Sequence, residues 1–302
     1  MDYVLKTNNL TKKFKDIKAV NEVSMSVKKG DIYGFIGKNG AGKSSFMKMV
    51  CGMFIPSSGE IELFGNADLV RGRKKIGSII ESPAFYPSMT AEENLRYYSI
   101  VTGQKKYVKL DETLKFVGLT GFDSKKVAEF SLGMKQRLAI AIAFSNSAEF
   151  LVLDEPVNGL DPTGIKEIRE LLLRLNEEKG ITILISSHIL GELSKIATKY
   201  GVIDKGILVD EFDSNELTER CKKYIKIEVD NMMKASHVLS EQMNIQKFEM
   251  HNSNTIKIYD NLENVALINR NMVLNDINVS YISIQGMDLE DYFVRLMEGI
   301  KC

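Results

Sequence analysis

A glycine-rich segment that ends in lysine and serine is the first feature of this sequence that could do chemistry. Residues 37–44 read Gly-Lys-Asn-Gly-Ala-Gly-Lys-Ser, between the strand-like run Ile32–Ile36 and a helical segment from Ser45. Such glycines let backbone N–H groups converge on phosphate oxygens, and the helix N-terminus adds its dipole. A chance glycine-rich turn is the alternative, but the strand and helix that a phosphate site requires flank this segment. The sequence therefore predicts a nucleotide site formed by Gly37, Asn39, Gly40, Ala41, Gly42, Lys43, Ser44 and Ser45.

Two acids at the end of an apolar run form the second candidate for chemistry. In a phosphate-binding loop of this type, Lys43 is expected to reach the β- and γ-phosphates and Ser44 to bind Mg²⁺. The apolar run 150–153 ends in Asp154 and Glu155. We expect Asp154 to join the Mg²⁺ shell and Glu155 to orient and deprotonate the attacking water. Alone this run would be a weak signal, but beside such a loop it is strong.

Three further motifs occur in a fixed order. Residues 131–137 read Ser-Leu-Gly-Met-Lys-Gln-Arg, residues 159–162 read Gly-Leu-Asp-Pro, and residues 186–188 read Ser-Ser-His after an apolar run. With the loop and Glu155, they make the chain resemble the nucleotide-binding subunit of an ABC transporter over about residues 3–215. The resemblance implies a P-loop NTPase fold of ABC type that hydrolyses ATP with Mg²⁺.

The resemblance also implies a role for single residues. ABC ATPases act as head-to-tail homodimers, so Ser131 and the backbone of Gly133 would bind the γ-phosphate held by a second copy. Asp161 would lie at the dimer seam, and His188 would contact the γ-phosphate; the alternative for His188 is a satisfied histidine at a strand end. Phe14 stands where the family has an aromatic that stacks on adenine, with a core phenylalanine as the alternative. The predicted catalytic residues are Lys43, Glu155 and His188.

Two departures from the common ABC pattern narrow the family. Glu81 stands where a glutamine is expected, and Leu132 replaces a glycine of the signature. A carboxylate can still approach Mg²⁺, so Glu81 is a further candidate metal ligand. Residues 81–87 and 131–137 resemble those of the bacitracin-resistance and lantibiotic-immunity ATPases. That resemblance implies a separate multi-span permease, attachment to the cytoplasmic face of the membrane, and export of peptide antibiotics.

Other functions of an ABC ATPase stay open at this point. A soluble ATPase of the iron–sulfur assembly type is compatible with the motif spacing, and an exporter of a different cargo is a further alternative. A nucleotide-gated module that hardly hydrolyses is disfavoured by Glu155. The predicted permease contact lies near residues 82–96, where the alternative role of the aromatic residues is to pack the helical part.

The elements that must position these residues alternate between strand-like runs and helical patterns. This alternation predicts an α/β fold with a mostly parallel sheet. Residues 20–27 predict an antiparallel edge piece, and residues 92–98 and 105–117 a helical insert on one side. The strand-like runs of the sheet are residues 32–36, 76–80, 151–153, 181–185 and 200–203.

A change in composition near residue 220 predicts a second domain. Only Gly286 and Gly299 of the 22 glycines lie beyond Arg220, and all five prolines precede it. We predict an ATPase domain over residues 1–218 and a small α+β accessory domain over residues 219–302. The β-α-β-β-α-β order of the latter is that of a ferredoxin-like unit. Its role is predicted as a dimer or permease contact, with ligand sensing as the alternative.

Composition limits the function classes further. Lys plus Arg (40) equals Asp plus Glu (40), so the net charge is zero, which argues against nucleic acid as a partner. The longest apolar runs, such as residues 138–144, are far shorter than the roughly 18–20 residues of a bilayer span. Three cysteines without CxxC spacing indicate reduced thiols in a cytoplasmic protein.

Overall fold

The polypeptide folds into two units, residues 1–214 and residues 215–302. The computed structural model describes residues 2–81, 85–103, 110–122, 124–145, 147–188, 190–287 and 289–297. The predicted domain boundary, between residues 218 and 219, lies inside the helix Ser214–Arg220. Parts of two predicted segments, residues 82–84 and 105–109, lie outside the described residues. Within the described ranges, no helix combines the length and apolar composition that a bilayer crossing needs.

A six-stranded sheet forms the centre of the first unit. In chain order, the strands of this unit are β1 (Tyr3–Phe14), β2 (Ile17–Val23), β3 (Ser26–Lys28), β4 (Ile32–Ile36), β5 (Ser58–Leu63), β6 (Ile76–Ile79), β7 (Phe150–Asp154), β8 (Thr182–Ser187), β9 (Lys199–Asp204) and β10 (Ile207–Asp213). The central sheet has the order β10-β9-β4-β8-β7-β6, with β10 antiparallel and the rest parallel. Strands β4 and β7 are buried along their whole length, as expected under helices on both faces. The predicted α/β class with a mostly parallel sheet is confirmed.

The register of this sheet aligns the ends of the strands that carry the candidate site. Asp154 at the end of β7 lies opposite Ser186 on β8, and Ile36 at the end of β4 lies opposite Ser187. Parallel strands place their carboxyl ends at one edge, which is where open α/β sheets bind ligands. The loops after β4, β6, β7 and β8 therefore leave the sheet on the same side.

A second, antiparallel sheet contains the predicted edge piece. Residues 20–27 form most of β2 and β3, which pair antiparallel with the long strand β1, and β5 also pairs with β1. The prediction of antiparallel pairing was correct, but these strands are not an edge of the parallel sheet. The physical reason is the 12-residue length of β1, which offers enough backbone for three partners.

Helices surround the central sheet and form the insert. They are α1 (Lys43–Val50), α2 (Leu69–Arg73), α3 (Ala91–Val101), α4 (Leu110–Phe116), α5 (Leu132–Ser145), α6 (Pro162–Lys179) and α7 (Leu190–Leu193), with a 3-10 turn at Val127–Glu129. The predicted helical insert corresponds to α3 and α4. A capping box of Thr90 and Glu93 begins α3, and edge-to-face contact between Phe116 and Phe144 packs α4 on α5. Capping and aromatic packing of this kind define where such short helices begin and how they pack.

The second unit is a four-stranded antiparallel sheet with helices. Its elements are α8 (Ser214–Arg220), β11 (Tyr224–Val229), α9 (Met232–His237) with a π-helical turn at Val238–Gln242, β12 (Phe248–His251), β13 (Thr255–Ile258), a 3-10 turn at Leu262–Asn264, α10 (Val265–Leu274), β14 (Val279–Gln285) and α11 (Leu289–Met297). The strand order is β12-β13-β11-β14. Each βαβ pair is thus split by a strand of the other pair, which is the predicted ferredoxin-like arrangement. Ile225, Ile227, Leu239 and Ile268 belong to its apolar core.

Candidate nucleotide-binding and hydrolysis site

The glycine-rich loop turns β4 directly into helix α1. A Cβ on Gly37 would lie 2.5 Å from the carbonyl oxygen of Ile203. Gly42 has a φ of 113° and precedes Lys43, the first residue of α1; a side chain there would collide with the carbonyl of Ala19. Only glycine fits these two positions, because one lacks space and the other has a left-handed backbone as well. The loop therefore brings backbone N–H groups to the start of α1, as the phosphate site requires.

Lys43 is buried and folds back over its own loop. Its ammonium donates hydrogen bonds to the carbonyl oxygens of Gly37 (2.5 Å) and Lys38 (3.3 Å). The same nitrogen lies 3.3 Å from Oε1 of Glu155. A buried ammonium needs such oxygen partners, and phosphate oxygens are equivalent acceptors. The Lys43 side chain is therefore placed to exchange these partners for a phosphate.

Glu155 lies between two cationic or proton-carrying groups. Its Oε2 is 2.6 Å from Nδ1 of His188, and its Oε1 faces Lys43. That Oε1 is buried and, within the described ranges, makes no hydrogen bond. Glu155 also has a positive φ of 50°, a conformation that non-glycine residues adopt at a cost and that clusters at functional sites. The structure thus brings together the three predicted catalytic residues, Lys43, Glu155 and His188.

Ser186, which opens the Ser-Ser-His motif but to which the sequence analysis gave no role, joins the two acids. The Ser186 hydroxyl donates to Oδ1 of Asp154 (2.6 Å) and accepts a hydrogen bond from the backbone N–H of Glu155 (2.9 Å). Asp154 and Ser186 are both buried. The signal that could have found Ser186 is the register, since it lies opposite Asp154 in the neighbouring strand. Ser186 therefore orients both acids at once.

The oxygen donors around Asp154 are of the kind that Mg²⁺ prefers. Mg²⁺ is usually bound by one or two carboxylates together with substrate phosphates and water. The described ranges contain no group of three or more His, Cys, Asp and Glu that could hold a metal alone. Among the described residues, Asp154 accepts a hydrogen bond from Ser186 through Oδ1, and the buried Oε1 of Glu155 has no hydrogen-bond partner. These oxygens, with the Ser44 hydroxyl in the first turn of α1, fit a metal site that substrate phosphates complete.

Glu81 is placed differently from the other predicted metal ligands. It follows β6 with a φ of 67°, and its carboxylate forms an ion pair with the ammonium of Lys48 on α1. The Glu81 side chain is 66% exposed. The structure therefore places Glu81 against α1, and its ion-pair partner is Lys48, which the sequence reasoning did not identify. The signal that could have predicted this ion pair is the extra negative charge of Glu81 at a position where a glutamine is common.

Ser131, Gly133 and Asp161 lie at the beginnings of helices. Ser131 is exposed and accepts a hydrogen bond from the Met134 N–H at the start of α5. Asp161 accepts from the Gly164 N–H at the start of α6. Side chains that accept in this way cap helix N-termini, so both residues have a structural role besides the predicted one. Among the described residues, the hydrogen bonds of Ser131 and Asp161 given above join them to their own helices and not to the phosphate-binding loop of the same chain.

Phe14 lies at the surface rather than in the core. Its side chain is 42% exposed. The ring packs edge-to-face on Phe54 at 5.4 Å between centroids, and the Lys12 ammonium lies 5.1 Å from its centroid. An exposed aromatic ring held by a second ring is suited to stack on a planar base.

Comparison with known proteins gives this geometry a family. A sequence model of the ABC transporter family matches residues 20–158. The bacitracin transport ATP-binding protein BcrA of Bacillus licheniformis is 42% identical over 303 residues, covering 99% of this chain and 99% of that protein. The lantibiotic transport ATP-binding protein SrtF of Streptococcus pyogenes is 44% identical over 218 residues, covering 72% of this chain and 94% of that protein.

A solved structure shows the same fold in a functional state. The dimeric post-hydrolysis state of the ATP-binding cassette MJ0796, bound to ADP and Pi, has a TM-score of 0.62 and 27% identity, over 70% of this chain and 98% of that chain. The predicted fold of ABC type is confirmed, and so is the resemblance to the bacitracin and lantibiotic ATPases. Both relatives are transport proteins, which supports the transporter prediction over the soluble alternatives. The chain therefore belongs to the family of ABC transporter ATP-binding proteins, the ATPase subunits of ABC transporters.

Proposed function

We propose that this chain is the motor of an exporter that removes peptide antibiotics of the bacitracin type through a separate permease. The observation that carries the hydrolytic part is the position of Glu155, held between Lys43 and His188 beside the glycine-rich loop. A general base must lie within reach of the water it activates and beside the group under attack. Residues 1–218 would supply this motor, and residues 219–302 an accessory domain.

Nucleotide entry would rearrange the partners of Lys43. The β- and γ-phosphates offer oxygens with more negative charge than the carbonyl of Gly37, so the ammonium would turn to them. Oε1 of Glu155 would then lose its ion-pair partner and be free to accept a hydrogen bond from the attacking water. The ion pair between Lys43 and Glu155 would thus break when a triphosphate replaces the protein oxygens that now accept from Lys43.

Hydrolysis would then follow from the residues around Glu155. Water attacks the γ-phosphorus, its proton passes to Glu155, and the bond to the β–γ bridging oxygen breaks to give ADP and phosphate. Mg²⁺, held by Ser44 and Asp154 with Glu81 nearby, would neutralise charge on the phosphates. His188 would keep Oε2 of Glu155 in place and donate a hydrogen bond toward the γ-phosphate. Ser186 would hold the Asp154 carboxylate and the Glu155 backbone in register.

A second copy of the chain would complete each site. Ser131 and Gly133 lie at the exposed N-terminal end of α5, where backbone N–H groups and the helix dipole favour an anion. In a head-to-tail dimer these groups would meet the γ-phosphate bound by the other copy. Asp161 would lie at the seam, and Phe14 would stack on adenine. The dimeric state of the cassette MJ0796 supports this arrangement.

The permease contact is proposed at the aromatic surface of the insert, on the cytoplasmic side of the membrane. Tyr86 and Tyr97 pack edge-to-face at 4.7 Å between centroids. The Tyr86 hydroxyl donates a hydrogen bond to Tyr97, which raises the pKa of Tyr86. Ile100 and Val101, at the end of α3, are exposed apolar residues. Exposed aromatic and apolar side chains of this kind favour a protein interface.

The second unit favours the bacitracin type over the lantibiotic type. The similarity to BcrA covers 99% of this chain and therefore includes residues 215–302, whereas the similarity to SrtF covers 72%. The match to BcrA includes the second unit, whereas the match to SrtF already covers 94% of that protein without it. The second unit therefore favours a BcrA-like function. We therefore assign cargo of the bacitracin type, with lantibiotics as the second candidate.

Affinity purification tests the motor and its partner together. Tagged Glu155→Gln protein, purified from gently solubilised host membranes with ATP and Mg²⁺, is expected to retain a multi-span membrane protein. Lys43→Ala protein, which cannot hold the nucleotide, is the matched control and is expected to retain less. A soluble complex without a membrane protein would contradict the transport proposal.

A susceptibility panel tests the cargo. Deletion of the gene is expected to sensitise the host to bacitracin more than to lantibiotics. Wild-type protein should restore resistance and Glu155→Gln protein should not. Equal susceptibility of deleted and intact strains to all peptides would leave a transporter of different cargo.

A further inference from the structure

A second lysine on the phosphate-binding helix has a partner that the proposed mechanism leaves unexplained. Lys48 lies on α1, on the same helix as Lys43, and its ammonium forms an ion pair with Oε1 of Glu81. The two residues are 33 positions apart in the chain, so the contact depends on the packing of α1 beside β6. The Lys48 side chain is only 18% exposed. Because its ammonium is therefore poorly solvated, the Glu81 carboxylate stabilises the charge.

Lys48 also touches the aromatic surface proposed for adenine. Its ammonium lies 5.2 Å from the ring centroid of Phe54, and Phe54 packs edge-to-face on Phe14. A cation at this distance from a ring face is attracted by the ring quadrupole. Lys48 is therefore held between the carboxylate of Glu81 and the aromatic pair, at a defined place beside the nucleotide site.

The chemistry of Glu81 explains what this lysine can do. A glutamine in this position would carry no charge, whereas Glu81 adds a negative charge at the sheet edge that carries Asp154, since Ile79 of β6 lies opposite Leu153 of β7. Unpaired, that carboxylate would attract Mg²⁺ strongly and repel the triphosphate. The observed ion pair neutralises it while leaving it exposed at a loop, where it can be released.

We propose that Lys48 is a positioning residue that holds Glu81 on α1 until Mg²⁺ and ATP bind, and thereby raises the Mg²⁺ concentration needed for nucleotide binding. Two states follow: Glu81 on Lys48, as observed, and Glu81 turned to the metal. Because Mg²⁺ must compete with the ammonium, removing the ammonium favours the second state. This inference rests on the proposed role of Glu81 near Mg²⁺.

A double-mutant cycle on Mg²⁺-dependent nucleotide binding tests the inference. The measurement is the Mg²⁺ midpoint for binding of a fluorescent ATP analogue by the full-length chain, without turnover. Lys48→Met keeps an apolar stem of similar length, and it is expected to lower the midpoint about two- to fivefold, the range of an exposed ion pair. In a Glu81→Gln background the same change should leave the midpoint unshifted. The cycle cancels the general loss of one positive charge, because that loss occurs in both backgrounds.

Two further variants separate positioning from a general effect. Lys48→Arg keeps the charge and is expected to restore the wild-type midpoint. Lys12→Met removes another ammonium that lies over Phe54, at 5.5 Å, but it does not pair with Glu81 and should show no coupling to Glu81→Gln. An equal shift for Lys48→Met in both backgrounds would overturn the inference while nucleotide binding stays intact. Absence of Mg²⁺-dependent binding in the wild-type chain would overturn the proposed function as well.

Discussion

Helix α1 carries the lysines of two lysine–glutamate pairs, and these pairs differ in solvent exposure. Lys43 pairs with Glu155 after β7, and Lys48 pairs with Glu81 after β6. The side chains are 6% and 19% exposed in the first pair, and 18% and 66% in the second. Attraction between charges is several times stronger where water is excluded than at the surface. The same pairing therefore produces a tight constraint at one place and an adjustable contact at the other.

The difference lies in the elements that carry the acids. Glu155 comes directly after β7, a strand that is buried along its whole length. Its backbone N–H donates a hydrogen bond to the Ser186 hydroxyl. Glu81 follows β6, which stands last in the strand order of the described residues and pairs there with β7 alone. A central strand places a side chain with little freedom, whereas an edge leaves it exposed to solvent. Catalysis needs the first situation, and regulation can use the second.

The largest effect is expected from removing the charge of each acid in turn. Glu155→Gln should lower ATP turnover at least about a hundredfold, because the proposed general base is lost, while ATP binding is kept. Glu81→Gln is the matched change in the exposed pair and should cost clearly less. Steady-state phosphate release measures both. Equal losses in the two variants would remove the distinction between the pairs and the role of Glu155 as base.

The next effect concerns the two lysines and nucleotide-dependent stability. A ligand at about 100 times its Kd stabilises the folded state by about 2.7 kcal/mol, or about 5–10 °C in Tm for a unit of this size. ATP with Mg²⁺ should give the wild-type chain such a shift, and Lys43→Met should abolish it. Lys48→Met should keep most of it. Calorimetry on the first unfolding transition checks this, with EDTA as the control for the metal.

A smaller effect is expected from the serine that supports the buried pair. Ser186→Ala leaves Oδ1 of Asp154 and the N–H of Glu155 without this partner, and buried groups left unpaired cost about 1–3 kcal/mol. Turnover should fall about tenfold, which corresponds to about 1.4 kcal/mol in the barrier. Phosphate release and denaturant unfolding measure the two consequences. Wild-type turnover in this variant would show that Ser186 does not orient the acids.

The smallest effect is expected from the exposed pair in the absence of nucleotide. Lys48→Met should change the free energy of unfolding by less than about 1 kcal/mol, because Glu81 is largely solvated and such pairs contribute little. Urea titration measures this value. A loss of several kcal/mol would mean that Lys48 is a structural residue of α1, and its effect on Mg²⁺ would then have to be separated from folding.

Much of the site could be predicted because its parts are short and local. The glycine spacing of residues 37–44 and the acids that end an apolar run depend on neighbours along the chain, and the strand Ile32–Ile36 has the predicted bounds. Other features depend on partners far away in sequence. The pattern of residues 20–27 predicted antiparallel pairing. Their sheet could not be predicted, because it depends on pairing with β1. The capping of α6 by Asp161 was also not predicted, because its place in the Gly-Leu-Asp-Pro motif pointed to the dimer seam instead.

The sequence by itself determined the family and the ATPase chemistry, and it predicted Lys43, Asp154, Glu155 and His188 as residues of the site. These follow from residue types at fixed spacing, and a loop or strand end expresses such spacing directly. Only the tertiary structure decided that Ser186 bridges both acids and that Glu81 pairs with Lys48, contacts that join residues 32 and 33 positions apart. The physical reason is that strand register and the packing of α1 set these distances, and neither is written in any local stretch of the chain.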